Sequence, residues 1–343
     1  MEKETFSIET FFDFLSNDHK VISIIGMEKN VGKTTLLNYL LKVMAEKGLP
    51  VLVLSIGRDG EPVDVLEKTK KPDITVYAGG CFLTIRELLK TPTAVEIVET
   101  FNEKISGSKV LLARALQNTE IQLINPGNQK VVSNMIRNSI KRCGKCTVFI
   151  DGALDRLSHG ASNLVDGVFI CTGVQVEGTL DQIIDKTKEL VDNLENSTCD
   201  DEMLRLISEC KSEFRTFIIR NDQIEACMAG TLLDSTELDE KIKNNDIIYT
   251  TGVLTDKIIK RLGEKDLRYT IVLIDGTKCH VSHRYKAIMT RKGIVLKVLN
   301  QIPVYGLSVN SVGIRRSMNP SKVLTAFEEA FKDKWVFDTQ YFK

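Results

Sequence analysis

Two rhythms of apolar residues organise the amino end of this chain. Val21-Ile22-Ser23-Ile24-Ile25 and Val51-Leu52-Val53-Leu54-Ser55 are short, nearly unbroken apolar runs. Runs of that length and kind are strands buried on both faces, as in a parallel sheet. Between them Leu36, Leu37, Leu40, Leu41 and Met44 recur every three or four positions, which predicts the buried stripe of a helix that Gly48 closes. Further strands are predicted near 74–77, 110–113, 120–123, 147–150, 168–171 and 216–219, and helices over 129–141 and 179–196. Strand and helix alternate, so an α/β fold is expected, with a mostly parallel sheet and helices on both faces. Ahead of the first strand, Phe6, Ile8, Phe11, Phe12, Phe14 and Leu15 mark an amphipathic helix of the kind that covers a sheet edge.

The run from Asn196 to Lys211 is polar and contains Asp200-Asp201-Glu202, the composition of a solvated connection. It sets the expected boundary between a first domain, 1–197, and a second, smaller α/β part, 198–343. In the latter, strands are predicted at 246–249 and 269–274, helices at 254–262 and 283–291, and a strand or loop pair across 295–309. A closing helix over 320–332 would turn Val323, Leu324, Phe327, Ala330 and Phe331 inward.

Composition changes this picture little: 43% of residues are hydrophobic and 27% are charged. Lysine and arginine total 46, as do aspartate and glutamate, so no whole-molecule field favours nucleic acid or an anionic membrane. The first residues lack the basic start and apolar stretch of a signal peptide, and no apolar run approaches a membrane span. A cytoplasmic location is expected, with no nucleic-acid or membrane partner. The eight cysteines are then thiols. Cys143-Gly-Lys-Cys146 has metal or redox spacing without a second pair to match it, and reads first as two ordinary thiols before a strand.

The residues between the first strand and its helix carry the clearest chemistry. Gly26-Met-Glu-Lys-Asn-Val-Gly-Lys-Thr-Thr35 is a glycine loop that leaves a strand and opens a helix. Such a turn aims several main-chain N–H groups, and the positive end of the helix dipole, at one point where phosphate sits readily. The expected contacts run from Gly26 through Lys29, Asn30, Val31, Gly32, Lys33 and Thr34 to Thr35. Lys33 reaches the β- and γ-phosphates, and the Thr34 hydroxyl ligates Mg²⁺. Magnesium also needs a carboxylate at the tip of a neighbouring strand. Thr147-Val-Phe-Ile-Asp151-Gly152 and its echo Val272-Leu-Ile-Asp275-Gly276 both offer one, and Asp151 is preferred because it belongs to the first run of strands. Asp59, between Gly57 and Gly60, is a candidate to touch the metal or orient the attacking water; the other reading is a surface turn. Asp155 and Arg156 are either a γ-phosphate contact or a local ion pair. Cys279, His280 and His283 lack a second ligand set, and Arg284, Lys286, Arg291 and Lys292 read as a solvated basic face.

Five residues separate Gly26 from Gly32, one more than the usual phosphate loop. In this the loop resembles dethiobiotin synthetase and the cobyric acid synthase group, within the dimerising P-loop NTPases that include the Mrp/MinD proteins. The resemblance is firm over the loop and looser across 20–178, and the class implies a homodimer as one assembly. MinD-type proteins carry an extra lysine five places before the loop lysine, whereas Lys29 lies four before Lys33. No role across a dimer interface is therefore inherited, and Lys29 either touches phosphate or is solvated. No Asn-Lys-x-Asp or Thr-Lys-x-Asp tetrapeptide reads guanine, which favours ATP and leaves GTP open. No Gly-x-Cys-x-Gly elbow supports an amidotransferase half.

More specifically, the loop together with Phe149-Ile-Asp-Gly-Ala-Leu-Asp-Arg156 and Gly252-Val-Leu-Thr-Asp256 resembles the P-loop subunit of lysine 5,6-aminomutase reactivase. That resemblance implies ATP-driven conformational action on a protein partner, an adenosylcobalamin-dependent aminomutase, together with a second ATPase subunit. The alternative is a dethiobiotin synthetase-like ligase or kinase that activates a small carboxylate.

Overall fold

The computed structural model describes residues 8–17, 20–56, 73–127, 129–152, 164–210, 215–228, 236–313 and 316–339. They divide into two compact units, one within Met1–His159, Leu164–Ile184 and Val304–Lys343, the other within Asp185–Pro303. The first unit runs α1 (Ile8–Asn17), β1 (Val21–Gly26), α2 (Lys33–Glu46), β2 (Val51–Ile56), β3 (Ile74–Val76), β4 (Cys81–Ile85), β5 (Val95–Ile105), β6 (Ser108–Ala115), β7 (Thr119–Ile121), α3 (Gln129–Cys143), β8 (Thr147–Gly152) and β9 (Gly167–Gly173). The boundary then falls inside α4 (Leu180–Leu194). The second unit holds α5 (Asp201–Ser208), β10 (Thr216–Arg220), β11 (Gln223–Met228), α6 (Thr236–Lys241), β12 (Ile247–Thr250), β13 (Leu254–Thr255), α7 (Asp256–Leu262), β14 (Thr270–Asp275), β15 (Cys279–His280), α8 (His283–Lys292) and β16 (Val295–Asn300). The chain returns to the first unit with β17 (Val304–Asn310), α9 (Pro320–Ala330) and β18 (Trp335–Asp338).

The main sheet has nine strands in the order β18-β17-β9-β1-β8-β2-β4-β6-β5. Only β6 runs against the rest, pairing antiparallel with β4 and β5. The fold is thus α/β with a large, mostly parallel sheet, but a mixed one. The antiparallel margin escaped the sequence because β4 is a five-residue run just after Gly79-Gly80, and β5 is an edge strand with only Val95 and Phe101 buried. The five apolar residues of α2 all face inward, as their spacing predicts.

Two expectations about the carboxyl half are corrected. The acidic triplet is no loose connection but the start of α5: the Asp200 carboxylate caps the helix, accepting from the Met203 N–H at 2.9 Å, and Leu206 and Ile207 are buried. Acids there complement the positive end of a helix. Nor is 198–343 one domain. The 295–309 pair splits, with β16 in a five-stranded sheet (β11-β10-β12-β14-β16) and β17 in the nine-stranded one. β17 can join because five of its seven residues are buried, the pattern of an interior strand.

In the five-stranded unit, Asp246 is fully buried and accepts from Arg220 Nε and Nη2, both at 2.8 Å, and from the Lys243 N–H at 2.7 Å. In the nine-stranded unit, α1 lies against the β9, β17 and β18 end of the sheet. The Phe11 ring is fully buried, with centroids of Phe169, Trp335 and Phe337 at 5.3, 5.2 and 5.3 Å. Phe14 meets Tyr305 and Trp335.

Truncating Phe11 removes the ring at the centre of that cluster, so Phe11→Ala should destabilise the first unit by about 3–5 kcal/mol. Trp335 is the chain's sole tryptophan, and its fluorescence in a urea titration reads this unit directly. An unchanged midpoint would show that α1 is not held there.

Candidate functional site

The loop at 26–32 is shaped by backbone conformation. Asn30 (φ 59°) and Gly32 (φ 93°) both take the left-handed conformation, which glycine adopts freely and asparagine tolerates. Gly32 is also the residue that begins α2, and no side-chain hydrogen bond caps that helix. The first-turn N–H groups therefore face outward toward an acceptor from outside the helix. Val31 is fully buried and pins the loop from below. A side chain at Gly26 would meet Val31 Cγ2 at 2.9 Å, and Lys33 Cδ and Nζ at 3.1 Å each. The Lys33 side chain is thus folded back across Gly26, and that glycine is required for the close approach.

Neighbouring strand ends hold the loop in place. β1 is paired on one side with β9, Gly26 opposite Cys171, and the Met27 N–H donates to the Cys171 carbonyl at 3.0 Å. On the other side it pairs with β8, which sets Asp151 opposite Ile24; Asp151 also pairs with Ser55 of β2, whose hydroxyl donates to the Asp151 carbonyl at 3.0 Å. Cys171 senses both charged groups: burial pushes its thiol up to about 12, with the Lys33 ammonium opposing the shift and Asp151 adding to it. Asp275 is in a different environment, at the end of β14 in the five-stranded sheet. Its fully buried carboxylate accepts from the Thr277 N–H at 2.9 Å and the Thr277 hydroxyl at 2.5 Å. Of the two Asp-Gly echoes, only Asp151 stands on a strand beside β1.

The other sequence candidates are distributed as follows. Thr34 is half-buried on the first turn of α2, while Lys29, Asn30 and Thr35 are exposed. Asp59, Asp155 and Arg156 lie outside the described residues. Cys279 is buried and its thiol donates to Asn193 Oδ1 at 3.1 Å, whereas His283 Nε2 sits 2.7 Å from Asp192 Oδ2. Lys286 departs from the solvated face expected of α8: its ammonium donates to the Asp192 carbonyl at 2.9 Å, and burial pulls its pKa down.

Three residues absent from the sequence reading also shape the site. Asn310, at the end of β17, sets its Nδ2 3.5 Å from the Asn30 carbonyl and accepts from the Thr339 hydroxyl at 3.2 Å. Thr339 Cγ2 would lie 3.0 Å from a side chain at Gly32. Arg316 ties the segment leaving β17 to the one leaving β9. Its Nε, Nη1 and Nη2 donate to the carbonyls of Val174, Gly178 and Val176 at 2.6, 2.6 and 2.5 Å. These two segments line a cavity of about 730 Å³, where Leu180, Met318 and Val323 meet the side chains of Gln182, Asn319 and Lys322. No motif announced any of the three, because each acts through a neighbour distant in sequence.

Among the described residues, no helix is long and apolar enough to cross a membrane. Compared with known proteins, the chain matches no family model and no curated sequence.

Gly32 and Gly48 offer an internal comparison, since both have positive φ but only Gly32 is crowded. An alanine in the left-handed region costs about 1–2 kcal/mol on conformation alone. Gly48→Ala should lose about that much, and Gly32→Ala measurably more because of Thr339. Equal losses in thermal or urea unfolding would show that Thr339 does not press on the loop.

Proposed function

We propose that the protein binds a magnesium–nucleoside triphosphate, ATP in the first instance, on the loop between β1 and α2. Its hydrolysis would drive a conformational cycle on a protein partner. The observation that carries this is the uncapped start of α2 behind two left-handed residues, with the Lys33 ammonium drawn over Gly26. N–H groups converging on one point at the positive end of a helix dipole are suited to phosphate oxygens, and the ammonium adds a full charge. Little covalent chemistry is asked of the protein in phosphoryl transfer; positioning and charge neutralisation do most of it.

The donor set fits magnesium, which prefers hard oxygen ligands: the Thr34 hydroxyl and the Asp151 carboxylate. Among the described residues no cluster of three or more His, Cys, Asp or Glu side chains could hold a metal. Magnesium arriving with a nucleotide needs none, since phosphate oxygens and water complete its octahedron. Bound there, the ion would neutralise charge on the phosphates. Asp59 would orient the attacking water, a role that rests on sequence alone.

The choice of partner rests on the three strings that resemble the aminomutase reactivase subunit. Nucleotide then works by population shift, binding one conformer more tightly so that hydrolysis returns the pair to the other. A tenfold difference in affinity moves that balance by about 1.4 kcal/mol.

At a ligand concentration about 100 times its dissociation constant, the wild-type fold should gain roughly 2.7 kcal/mol. A thermal-shift series across ATP, GTP and magnesium measures that gain and the base preference together. Lys33→Ala should abolish the gain, and Asp151→Asn should abolish its dependence on magnesium while Asp275→Asn leaves it intact. No shift with any purine triphosphate would overturn the proposal. Basal hydrolysis should be slow and rise with an inactivated cobalamin-dependent aminomutase. Turnover that instead requires a small carboxylate and yields its phosphorylated product would replace the partner cycle with the ligase reading.

A further inference from the structure

Both left-handed corners of the loop at 26–32 are touched by residues from the far end of the chain. Asn310 ends β17, and its main chain is fixed there: it pairs with Gly173 of β9, and its carbonyl accepts from the Val174 N–H at 3.0 Å. Gly173 (φ 141°) allows that approach, since a side chain on it would strike the Asn310 main chain. The Asn310 carboxamide is oriented as well. Its Oδ1 accepts from the Val312 N–H at 3.1 Å and from the Thr339 hydroxyl at 3.2 Å. A main-chain N–H can only donate, so the oxygen faces it and the NH2 group is left for the loop. There Nδ2 donates to the Asn30 carbonyl at 3.5 Å.

Thr339, directly after β18, serves the second corner. Its Cγ2 lies 3.0 Å from the position that a side chain on Gly32 would take, so the methyl sits against that residue while the hydroxyl holds Asn310. Asn30 (φ 59°) and Gly32 (φ 93°) flank Val31, which is fully buried. The backbone has only two soft dihedrals per residue. With Val31 pinned, those of Asn30 and Gly32 decide where the N–H groups that open α2 point. A left-handed asparagine is tolerated rather than favoured, so the contacts around it are what keep it there.

We propose that Asn310 and Thr339 are positioning residues for the phosphate loop, and that they couple nucleotide affinity to the docking of β17 and β18. The role presupposes a nucleotide on the loop, and neither side chain is assigned a contact with it. With both corners held, the first-turn N–H groups are already arranged for phosphate, and binding has little rearrangement to drive. The long bond from Asn310 strengthens as the loop donates to an anion, because linked hydrogen bonds polarise one another. With β18 detached, the loop regains its other turns and affinity falls. Linkage makes the effect mutual: the factor that the docked strand adds to nucleotide affinity is the factor that bound nucleotide adds to docking. β18 is an edge of the nine-stranded sheet, where local opening is easiest, so the factor is measurable there.

The test is hydrogen exchange of the full-length protein with and without saturating Mg-ATP, read by mass spectrometry of its peptides, beside affinities from calorimetry. In the wild type, Mg-ATP should slow exchange across Val336 to Asp338 about tenfold more than it slows β5, the edge at the opposite margin. Asn310→Asp keeps both acceptor bonds but turns a carboxylate oxygen toward the Asn30 carbonyl. Its dissociation constant for Mg-ATP should rise about tenfold, and at saturation the extra protection of β18 should vanish. Repulsion between the new charge and phosphate would weaken binding yet leave that protection in place. Thr339→Val removes the hydroxyl without adding charge or changing shape, and should weaken binding about threefold. Equal protection of β18 and β5 in the wild type, protection of β18 that survives in Asn310→Asp, or wild-type affinity in both variants would overturn the positioning role and leave the nucleotide reading standing. A wild-type protein that binds no Mg-ATP overturns both.

Discussion

The position of one strand governs the rest of the candidate site. β1 is hydrogen-bonded in parallel to β8 on one side and β9 on the other, so all three end at the same edge of the sheet. Parallel neighbours bring their carboxyl ends together, and that edge is where open α/β sheets collect their functional loops. The ladder from Ile24 to Asp151 and from Gly26 to Cys171 carries the loop, a carboxylate and a buried thiol to one place. A slip of one residue in either ladder would turn every side chain of that strand to the other face.

A second layer of support comes from the carboxyl end of the chain. β17 and β18 extend the sheet beyond β9, and their ends supply Asn310 and Thr339 to the loop. Arg316 then spends its guanidinium on three main-chain carbonyls of the neighbouring segment, which leaves it a strut between two loops. The site is consequently not the property of an amino-terminal domain alone. Its walls are completed by residues that the chain delivers only after building the five-stranded unit.

The opposite margin of the same sheet has a different character. There β6 turns against its neighbours, and ion pairs join Arg114 of β6 and Arg142 of α3 to glutamates of β5. Polar side chains on an edge strand usually keep other chains away. Here they also tie the end of α3 to the sheet.

The short-range features were readable from the residues themselves. Leu36, Leu37, Leu40, Leu41 and Met44 face inward because a helix repeats every 3.6 residues, and the glycine loop turns where left-handed residues let it. Those properties depend on neighbours within a turn or two, and so are written locally. The edge strand β5, the return of β17 to the first sheet and the engagement of Lys286 were not written that way. Asn310 and Asn30 lie 280 residues apart, and nothing in the residues around either one names the other. Periodicity tells a strand which face is apolar but not which strand lies beside it. That choice is made by packing and register across the whole sheet, and only the tertiary structure records it.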